Sequence, residues 1–432
     1  GRRRACVALL VAAGVLSAAG FAGCGRGEAS RAVTLRVLNW APELELALEQ
    51  RIARGFEARH PHVAVEVESV VNNYGEKLAV ALASGTPPDV FLLDVPDIPA
   101  LVDRGLVLDL APYLARVGYD RAAVFPEVLE VFARGDRLHA LPKDFTPMVI
   151  YVNRRVFEAA GVAPPGEADW TWDAFLAAAL AVSRDTDGDG VRDVFAIDFP
   201  RDLYKWVPWV WSAGGDILGA GGTRATGHLD GPAAVDTFRF LTDLSLRHGV
   251  TPPVQFTLGG DVARTSRFFT GRQAMMLSGH WSMPLLLDYA ARGDLDLGLA
   301  PIPHRAGAAP ATVIYVSGWA VPATVRHKRL AVELAAWLAG EEAQRARAET
   351  RLGIPALRHV AEDLAARDAT GIERAFLRQV ARGRMPWGAV VRDFHRVERL
   401  AFDVMDRRLL RGEDVEAVAR EIAARLDREL AR

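Results

Sequence analysis

Two different hydrophobic periods alternate along the first part of the chain. Apolar residues occupy every second position over residues 33–37 and 63–67, which predicts two strands. Apolar residues four apart over 44–56 predict a helix between them, and a second helix is predicted over 74–83. The run 90–93 is apolar on both faces, as is typical of a buried parallel strand. This order of elements predicts a doubly wound α/β sheet.

The rest of the chain continues this mixture of strands and helices. Short apolar runs predict further strands at 148–152, 275–277, 297–299 and 319–321. Amphipathic or alanine-rich stretches predict helices at 155–160, 172–183, 233–248, 262–270 and 327–339. Everything from Ala343 onward is charged and reads as helical, and no internal repeat is visible.

The composition narrows the class of protein. The chain has 432 residues, 50% of them hydrophobic and 25% charged, which is typical of a globular protein and excludes a disordered or fibrous one. This length predicts two or three domain-sized cores. The formal net charge is only −2. Because nucleic acid binding relies on a positive surface, we expect no nucleic acid partner.

The start of the chain has the pattern of a targeting segment. Arginines precede an apolar run over 5–22, and Gly23 and Cys24 follow this run directly. This end resembles a bacterial lipobox, so we expect residues 1–23 to be a lipoprotein signal peptide and Cys24 to carry the lipid. Residues 24–31 are then a flexible tether. A transmembrane anchor is the alternative, because the apolar run is barely long enough to span a bilayer.

Cysteine usage agrees with export. The chain has two cysteines, and Cys6 lies in the segment expected to be removed. Since Cys24 would carry the lipid, the mature protein would keep no thiol for a disulfide, a metal or a catalytic nucleophile. We therefore expect an exported protein, lipid-anchored to the membrane on the periplasmic or extracellular face of the cell envelope.

One segment in the middle of the chain is especially informative. It covers residues 141–153 (LPKDFTPMVIYVN) and is followed by Phe157 and Gly161-Val162. It resembles the signature segment of bacterial extracellular solute-binding proteins of family 1, which deliver sugars to ABC importers. Further similarities follow in the same order along the chain, at 170–172, 268–276, 279–281, 318–322 and 353–356.

The resemblance implies an architecture and a function. The implied fold class is α/β and periplasmic-binding-protein-like (type II), with two doubly wound α/β lobes joined by a multi-strand hinge. The implied boundaries are residues 32–143 plus 296–347 for the first lobe and 144–295 plus 348–432 for the second. A carbohydrate (a mono- or oligosaccharide or a polyol) would bind in the cleft and close the hinge, without catalysis. The implied partner is an ABC permease, and we expect the protein to be a monomer.

Tryptophans are the main candidates for contact with a sugar, whose flat C–H faces need an aromatic surface. The candidates lie at predicted element ends or in loops: Trp40, Trp206, Trp209, Trp211, Trp281 and Trp319. Trp206 and Trp209 are three residues apart and would share one side of a helix, whereas Trp211 would point elsewhere. The alternative is that these large side chains fill the cores of the lobes.

Polar candidates come from strand ends and from the family segments. Carboxylates accept strong charge-assisted bonds from sugar hydroxyls, which favours Asp94, after the third predicted strand, and Asp144, next to the hinge. A helix N-cap and a turn are their alternative roles. The resemblance adds further cleft positions: Phe145, Gly279, His280, Gly318 and Arg351. Gly279 would allow the backbone to approach a ligand closely.

An acidic loop follows the predicted helix 172–183. Aspartates at Asp185, Asp187, Asp189 and Asp193 match positions one, three, five and nine of an EF-hand calcium loop. The twelfth position, where a glutamate would complete the site, is Ala196. A structural calcium ion is therefore one interpretation, and a glycine-rich turn without a metal is the other. No other cofactor is expected.

Two other functions remain open on sequence grounds. An exported carbohydrate-active enzyme would also combine aromatic residues and carboxylates, but no paired acid and base can be placed across a bond. The sequence also lacks a Gly-x-Ser-x-Gly motif, a phosphate-binding loop and a His-Glu-x-x-His motif. A binder of a sugar phosphate, such as a glycerol phosphate, would require Arg351 or Lys143 in the cleft.

Overall fold

The computed structural model describes residues 33–198, 203–253 and 260–431. Its strands are β1 (Val33–Asn39), β2 (Val63–Ser69), β3 (Val90–Asp94), β4 (Ala133–Arg134), β5 (Arg137–Leu138), β6 (Leu141–Pro147), β7 (Val149–Asn153), β8 (Phe195–Ile197), β9 (Gln273–Ser278), β10 (Leu297–Ala300), β11 (Thr312–Ala320), β12 (Ile354–Pro355) and β13 (Gly383–Arg384). The predicted signal peptide, the tether and Cys24 lie outside the described residues.

The helices occupy most of the chain between and after these strands. They are α1 (Glu43–Arg59), α2 (Tyr74–Ala83), α3 (Ile98–Asp103), α4 (Leu114–Val117), α5 (Pro126–Glu130), α6 (Arg154–Ala159), α7 (Trp172–Val182), α8 (Leu203–Trp211), α9 (Pro232–Leu246), α10 (Gly260–Phe269), α11 (Met283–Ala291), α12 (Lys328–Leu338), α13 (Glu341–Ala348), α14 (Arg358–Arg367), α15 (Ile372–Val380), α16 (Phe394–Arg411) and α17 (Val415–Leu430). In the described ranges, no helix combines the length and the apolar composition needed to cross a bilayer.

The larger sheet confirms the doubly wound start of the chain. Its strands follow the order β12-β6-β11-β3-β1-β2, and β13 pairs with β11. β1 runs parallel to β2 and β3, with Val37 opposite Val67 and Val90. Leu35 and Val37 are buried, whereas Arg36 between them is exposed, so the period of two in the sequence follows the two faces of the strand.

A β-bulge interrupts the pairing of β6 with β11. Ser317 lies opposite Asp144 and Gly318 lies opposite Pro142, so Lys143 is an extra residue in β6. An extra residue bends the strand and changes the direction of the neighbouring side chains. The bulge lies inside the family segment, where it redirects the Lys143 and Asp144 side chains.

The smaller sheet lies on a second hydrophobic core. Its strands follow the order β10-β7-β9-β8, with β7 antiparallel to both of its neighbours. Alternate residues of β7 belong to different cores: Tyr151 packs in the first, with Phe91 and Trp319, and Ile150 packs in the second, with Phe238. Because successive side chains of a strand point to opposite faces, β7 contributes to both cores and so connects the two lobes.

The lobe boundaries drawn from the sequence remain a prediction, and the pairing divides some segments differently. β10 pairs with β7 of the smaller sheet, although residues 296–347 were expected in the first lobe. Val360 of α14 and Phe376 of α15 pack in the first core, although residues 348–432 were expected in the second lobe. Because several segments contribute to both cores, a boundary at one residue describes them poorly.

Candidate ligand-binding cleft

A cavity of about 630 Å³ lies where residues of the two cores approach each other, and we call it the cleft. Its volume falls in the range typical of small-molecule sites. Its lining comes from loops, strands and helices far apart in the chain: Trp40, Pro42, Glu45, Asp94, Pro96, Lys143, Asp144, Phe145, Thr146, Tyr204, Trp281, Tyr315, Val316, Ser317, Leu352, Gly353, His395 and Glu398.

Four aromatic residues provide apolar faces in the cleft. Trp40 follows β1, and Tyr74 packs edge-on against it with ring centroids 5.0 Å apart. Trp281 is 40% exposed, which leaves much of its ring available to a ligand. The Tyr315 ring lies 6.5 Å from that of Trp281 at an angle of 59°, and Tyr204 packs edge-on against Tyr315. Such faces can bury the C–H surface of a ligand.

Asp144 is held firmly at the edge of the cleft. Its Oδ1 atom accepts a 2.6 Å hydrogen bond from the Ser317 hydroxyl, and its Oδ2 atom lies 2.7 Å from Lys143 Nζ. Burial alone would raise the pKa of Asp144, but Lys143, Ser317 and the more distant Arg347 outweigh it and lower the pKa. Gly353 leaves room for this carboxylate, because a Cβ atom there would lie 2.8 Å from the Asp144 side chain. Asp144 is therefore an ionised acceptor with a fixed direction.

Lys143 connects Asp144 to helix α1. Its Nζ atom also lies 2.7 Å from Glu45 Oε1, and both Lys143 and Glu45 are buried. Burial lowers the pKa of Lys143, but Asp144 and Glu45 outweigh it and raise the pKa. A second buried pair, Arg347 with Glu49, lies nearby and is bidentate, at 2.6 and 2.7 Å. Each of these buried charges has an opposite partner, which offsets the cost of removing it from water.

Asp94 lies at the carboxyl end of β3, as predicted, and lines the cleft. Its Oδ1 atom accepts a 2.8 Å bond from the N–H of Val95 and so caps a 3₁₀ turn over Val95–Asp97. The side chain is open to the cleft, while protein surrounds its other sides. This partial removal from bulk water, together with Asp97 and Glu398, raises the pKa of Asp94 to about 6. Asp94 therefore combines the N-cap role with a position in the cleft.

His395 and Glu398, from the first turns of α16, also line the cleft. His395 Nδ1 lies 3.2 Å from Glu398 Oε2, and His395 Nε2 lies 3.7 Å from Asp97 Oδ1. Hydrogen bonding to Asp97 and Glu398 raises the pKa of His395, which favours the imidazolium form. This contact connects α16, in the second core, with the turn after β3.

Five of the predicted site residues line the cleft, and they come from both halves of the sequence. They are Trp40, Asp94, Asp144, Phe145 and Trp281. Phe145 is buried and contributes the floor of the cavity rather than an open face. Their role in binding remains a prediction.

The three tryptophans of α8 lie away from the cleft, which corrects their expected position. Trp206 and Trp209 are both 0% exposed and pack edge-on against Phe238 and Phe175, with centroids 5.0 and 5.3 Å apart. They do share one side of the helix, but that side faces the second core. Trp211 donates a 2.8 Å hydrogen bond from Nε1 to an Asp216 oxygen and is also buried. Burying these large apolar side chains stabilises the lobe more than exposing them would.

The candidates on β11 also belong to the interior. Trp319 is 0% exposed, and the Arg347 guanidinium lies 5.4 Å from its ring centroid. Gly318 packs against Phe132, whose ring would lie 2.7 Å from a Cβ atom at position 318. The residues of this strand that line the cleft are its neighbours Tyr315, Val316 and Ser317.

His280 and Gly279 support the cleft from behind. His280 is 0% exposed, and its Nε2 atom lies 2.9 Å from Glu373 Oε2. Its backbone N–H donates a 2.6 Å bond to the Thr146 hydroxyl. Gly279 accepts a bond from Tyr151, and Trp281 covers the position where a Cβ atom would lie. Only Trp281 of this family segment lines the cleft.

Arg351 is held by carboxylates outside the cleft. Its Nη1 atom lies 3.3 Å from Asp368 and 3.1 Å from Glu373. Its φ of 54° places the backbone in the left-handed region, just before the two residues that do line the cleft, Leu352 and Gly353. Arg351 therefore supports this loop and is not a cleft cation.

The sequence predictions omitted several polar and aromatic residues that line the cleft, among them Glu45, Tyr204, Tyr315, His395 and Glu398. Glu45 lies on an amphipathic helix, where an acidic residue in the first turn reads as a favourable charge. His395 and Glu398 lie in a charged helical tail, where most such residues are solvated. No local pattern distinguishes these residues, because their common feature is a position in space.

The predicted calcium loop is exposed and already satisfies part of its own backbone. Carboxylate oxygens of Asp185, Asp187 and Asp189 lie within 4.8 Å of one another. Asp185 also accepts bonds of 2.7 and 2.8 Å from the N–H groups of Gly188 and Gly190. This geometry accommodates either a cation or a glycine-rich turn.

The remaining positions of that loop are used differently. Asp193 is bonded to the backbone and hydroxyl of Thr186, and Ala196 is buried in β8. A carboxylate at the twelfth position is therefore missing from the ligand set. Structural calcium remains a prediction, and calorimetric titration with millimolar calcium tests it: a flat trace would reject it.

Similarity to known proteins gives an independent view. Residues 41–345 match the family of bacterial extracellular solute-binding proteins. The diacetylchitobiose binding protein DasA of Streptomyces coelicolor is 26% identical over 200 residues, which are 45% of this chain and 44% of that protein. The galactooligosaccharide-binding protein of Bacillus subtilis is 24% identical over 378 residues, which are 84% of this chain and 82% of that protein.

The fold has well-matched counterparts among solved structures. The ABC substrate-binding protein Lmo0181 from Listeria monocytogenes, in complex with cycloalternan, superposes with a TM-score of 0.81. The two chains are 20% identical, and the match covers 92% of this chain and 99% of that one. This likeness confirms the predicted periplasmic-binding-protein-like α/β fold. Since the family match spans more than half of the sequence, the chain belongs to the bacterial extracellular solute-binding proteins.

Proposed function

We propose that this protein captures a carbohydrate in the cleft and delivers it to the permease of an ABC importer. The observation that carries the proposal is the combination, in one cavity, of open aromatic faces and fixed carboxylates. Trp40, Trp281 and Tyr315 can cover the C–H faces of a sugar, and Asp94 and Asp144 can accept bonds from its hydroxyls. The similarity to a diacetylchitobiose binding protein and to a galactooligosaccharide-binding protein supports the same class of ligand.

Ligand-dependent closure is the expected signal for transport. The cleft is lined by Trp40 and Asp94 near the first core and by Tyr204 and Glu398 near the second. A ligand that contacts both sides stabilises the closed arrangement, because it binds that state more tightly than the open one. The closed form would then be the form that the permease recognises.

Catalysis is not part of the proposal. Lys143 and Ser317 lower the pKa of Asp144, so this carboxyl group is a poor proton donor at neutral pH. Asp94, with its raised pKa, caps a turn through Val95. Recovery of every bound glycan intact, measured by mass spectrometry, is expected; shortened glycans would show an exported carbohydrate-active enzyme instead.

A sugar phosphate fits the cleft less well than a neutral sugar. Lys143, one of the two cations that this alternative needs, is already shared between Glu45 and Asp144 at 2.7 Å each. Arg351, the other, is held by Asp368 and Glu373 outside the cleft. A phosphate would have to separate one of these pairs, which costs free energy when the charges are buried.

The experiment that tests the proposal has two steps. A thermal-shift screen of the mature protein against mono- to tetrasaccharides, polyols and sugar phosphates should raise the melting temperature with a carbohydrate, because a ligand that binds only the native state stabilises it. Small-angle scattering with and without that carbohydrate should then show a more compact form. Failure of every carbohydrate to bind, or superimposable scattering curves, would contradict the proposal.

We also propose that Cys24 anchors the protein to the membrane through lipid and that the mature protein is a monomer. The pattern of residues 5–24 supports the anchor. Labelling of growing cells with a clickable palmitate analogue should tag the wild type and not Cys24→Ser. Equal labelling would contradict the anchor, and sedimentation of the soluble part as a dimer would contradict the monomer.

A further inference from the structure

The charges that line the cleft are unbalanced. Among the residues that the structure describes, the lining holds four carboxylates (Glu45, Asp94, Asp144 and Glu398) and two basic groups (Lys143 and His395). Both basic groups are engaged: Lys143 by two carboxylates at 2.7 Å, and His395 by Glu398 at 3.2 Å. Even with both of them protonated, these described lining residues carry an excess of negative charge, and neither of the two cations is left over for an anionic ligand.

The excess lies with Asp94 and Glu398, and we call their part of the cleft its acidic end. Lys143 lies between Glu45 and Asp144 and compensates much of their charge. Asp94 uses Oδ1 for the Val95 N–H, and Glu398 uses Oε2 for His395. The second carboxylate oxygen of each has no hydrogen-bond donor among the residues that the structure describes.

A contact through His395 brings the segments of these two carboxylates together: His395 lies 3.2 Å from Glu398 and 3.7 Å from Asp97, in the turn that Asp94 caps. The partial removal of Asp94 from bulk water raises its pKa, and the nearby charges of Asp97 and Glu398 act in the same direction. Ser317 of β11 lies opposite Asp94, and Tyr315, two residues along the same face of that strand, lines the cleft together with Asp94 and Glu398. A positive group of a ligand at this end would relieve the repulsion and supply the missing donors.

The aromatic residues suit a positive group as well as a sugar face. Tyr315 lies between Trp281 and Tyr204, with ring centroids 6.5 and 6.1 Å from its own. The negative faces of such rings attract ammonium groups, most strongly where water is partly excluded. The cleft therefore offers a cation both charge compensation and aromatic faces at the same end.

We propose that the ligand is a carbohydrate with a free amino group and that its ammonium binds at the Asp94 and Glu398 end of the cleft. This inference rests on the proposed function and adds the chemical class of the sugar. The ammonium supplies N–H donors to the free oxygens of Asp94 and Glu398. The hydroxyl groups of the same sugar bond to Asp144, whose carboxylate is already fixed.

The test compares sugars that differ in one group. The purified mature protein is titrated with mono- to tetrasaccharides in matched sets, in which one position carries a free amine, an N-acetyl group, a hydroxyl or a phosphate. The aminated member of a set should bind about tenfold or more tightly than its hydroxyl counterpart. The phosphorylated member should bind most weakly.

Two variants then assign the preference to the named carboxylates. Asp94→Asn and Glu398→Gln keep the shape of the side chains and remove the charge. Each should lower the affinity for the aminated sugar about tenfold more than it lowers the affinity for the hydroxyl counterpart. Asp288→Asn is the matched control. Asp288 lies on α11, is exposed, pairs with Arg292 and is not part of the cleft lining.

The outcomes distinguish this inference from the function on which it rests. Hydroxyl or N-acetyl sugars that bind as tightly as the amine would overturn the inference and leave carbohydrate capture intact. An amine preference that survives in both variants would also overturn it. If no carbohydrate of any set binds, the proposed function fails, and the inference fails with it.

Discussion

Lys143 and Asp144 are neighbours in the chain, yet their charged groups lie 2.7 Å apart and both line the cleft. Successive side chains of a regular strand point to opposite faces, so this contact would be difficult in an uninterrupted β6. The bulge opposite Ser317 makes it feasible, because Lys143 is the extra residue that re-aims the pair. The consequence is a carboxylate whose charge and direction are fixed before a ligand arrives.

Removal of this carboxylate should weaken binding. Asp144→Ala is expected to cost about 1–3 kcal/mol in binding free energy, since a charge-assisted hydrogen bond to the sugar is lost. Calorimetric titration with the best sugar of the thermal-shift screen measures this. Asp363→Ala, at an exposed residue paired with Arg345, is the control. An unchanged affinity in Asp144→Ala would place the binding site elsewhere.

Gly353 should matter for the same carboxylate. In Gly353→Ala, the new methyl group would lie 2.8 Å from the Asp144 side chain, so the carboxylate must move and affinity should fall about tenfold. Gly166→Ala is the matched control, because no atom lies within 4 Å of a Cβ there and its φ is ordinary. Equal affinities for the two variants would mean that the position of Asp144 is not critical.

Two tryptophans should separate binding from stability. Trp281→Ala should weaken the ligand by about 1–3 kcal/mol with little effect on unfolding, because Trp281 is 40% exposed. Trp209→Ala should destabilise the protein by about 3–5 kcal/mol, because Trp209 is 0% exposed and packs on Phe175. Urea denaturation and ligand titration measure both variants. If Trp209→Ala were as stable as the wild type but no longer bound the ligand, the prediction would be wrong and Trp209 would belong to the binding site.

The raised pKa of Asp94 predicts a pH dependence of stability. The folded state holds the Asp94 proton more tightly than the unfolded state does, because the pKa is raised to about 6 from the usual 3.8. The associated stability is present below about pH 4 and is lost as the pH rises through about 6. The charged groups around Asp94 are Asp97, His395 and Glu398.

Asp94→Asn tests this sign. Without ligand, the variant should melt at a higher temperature than the wild type at pH 7–8, and the difference should vanish near pH 4. The asparagine oxygen can still accept the bond from the Val95 N–H, so the cap itself is kept. A variant that melts lower at neutral pH would show that the charge of Asp94 stabilises the protein.

The local patterns of the sequence predicted the elements well. The helix expected over 74–83 is α2 (Tyr74–Ala83), and the strand expected over 90–93 is β3 (Val90–Asp94). Both predictions succeed because one face of each element is buried, and this produces a hydrophobic period that can be read from neighbouring residues alone. The position of Asp94 followed as well, because the carboxyl ends of parallel strands share one edge of the sheet.

The tryptophans show where this reasoning stops. The spacing of Trp206 and Trp209 correctly puts them on one side of α8, but the spacing is the same whether that side faces a cleft or a core. Phe175 and Phe238, which pack against them, come from other helices. Which neighbours an apolar face meets depends on the packing of distant segments.

By itself, then, the sequence determined the α/β class, the order of most elements, the family segments and the aromatic and acidic residue types available to a ligand. The tertiary structure decided which of those residues meet: it buried Trp209, opened Trp281, and brought Glu398 from the C-terminal helices to Asp94. The physical reason is that periodicity and turn chemistry act between near neighbours in the chain, whereas a cavity depends on the burial of whole faces against one another.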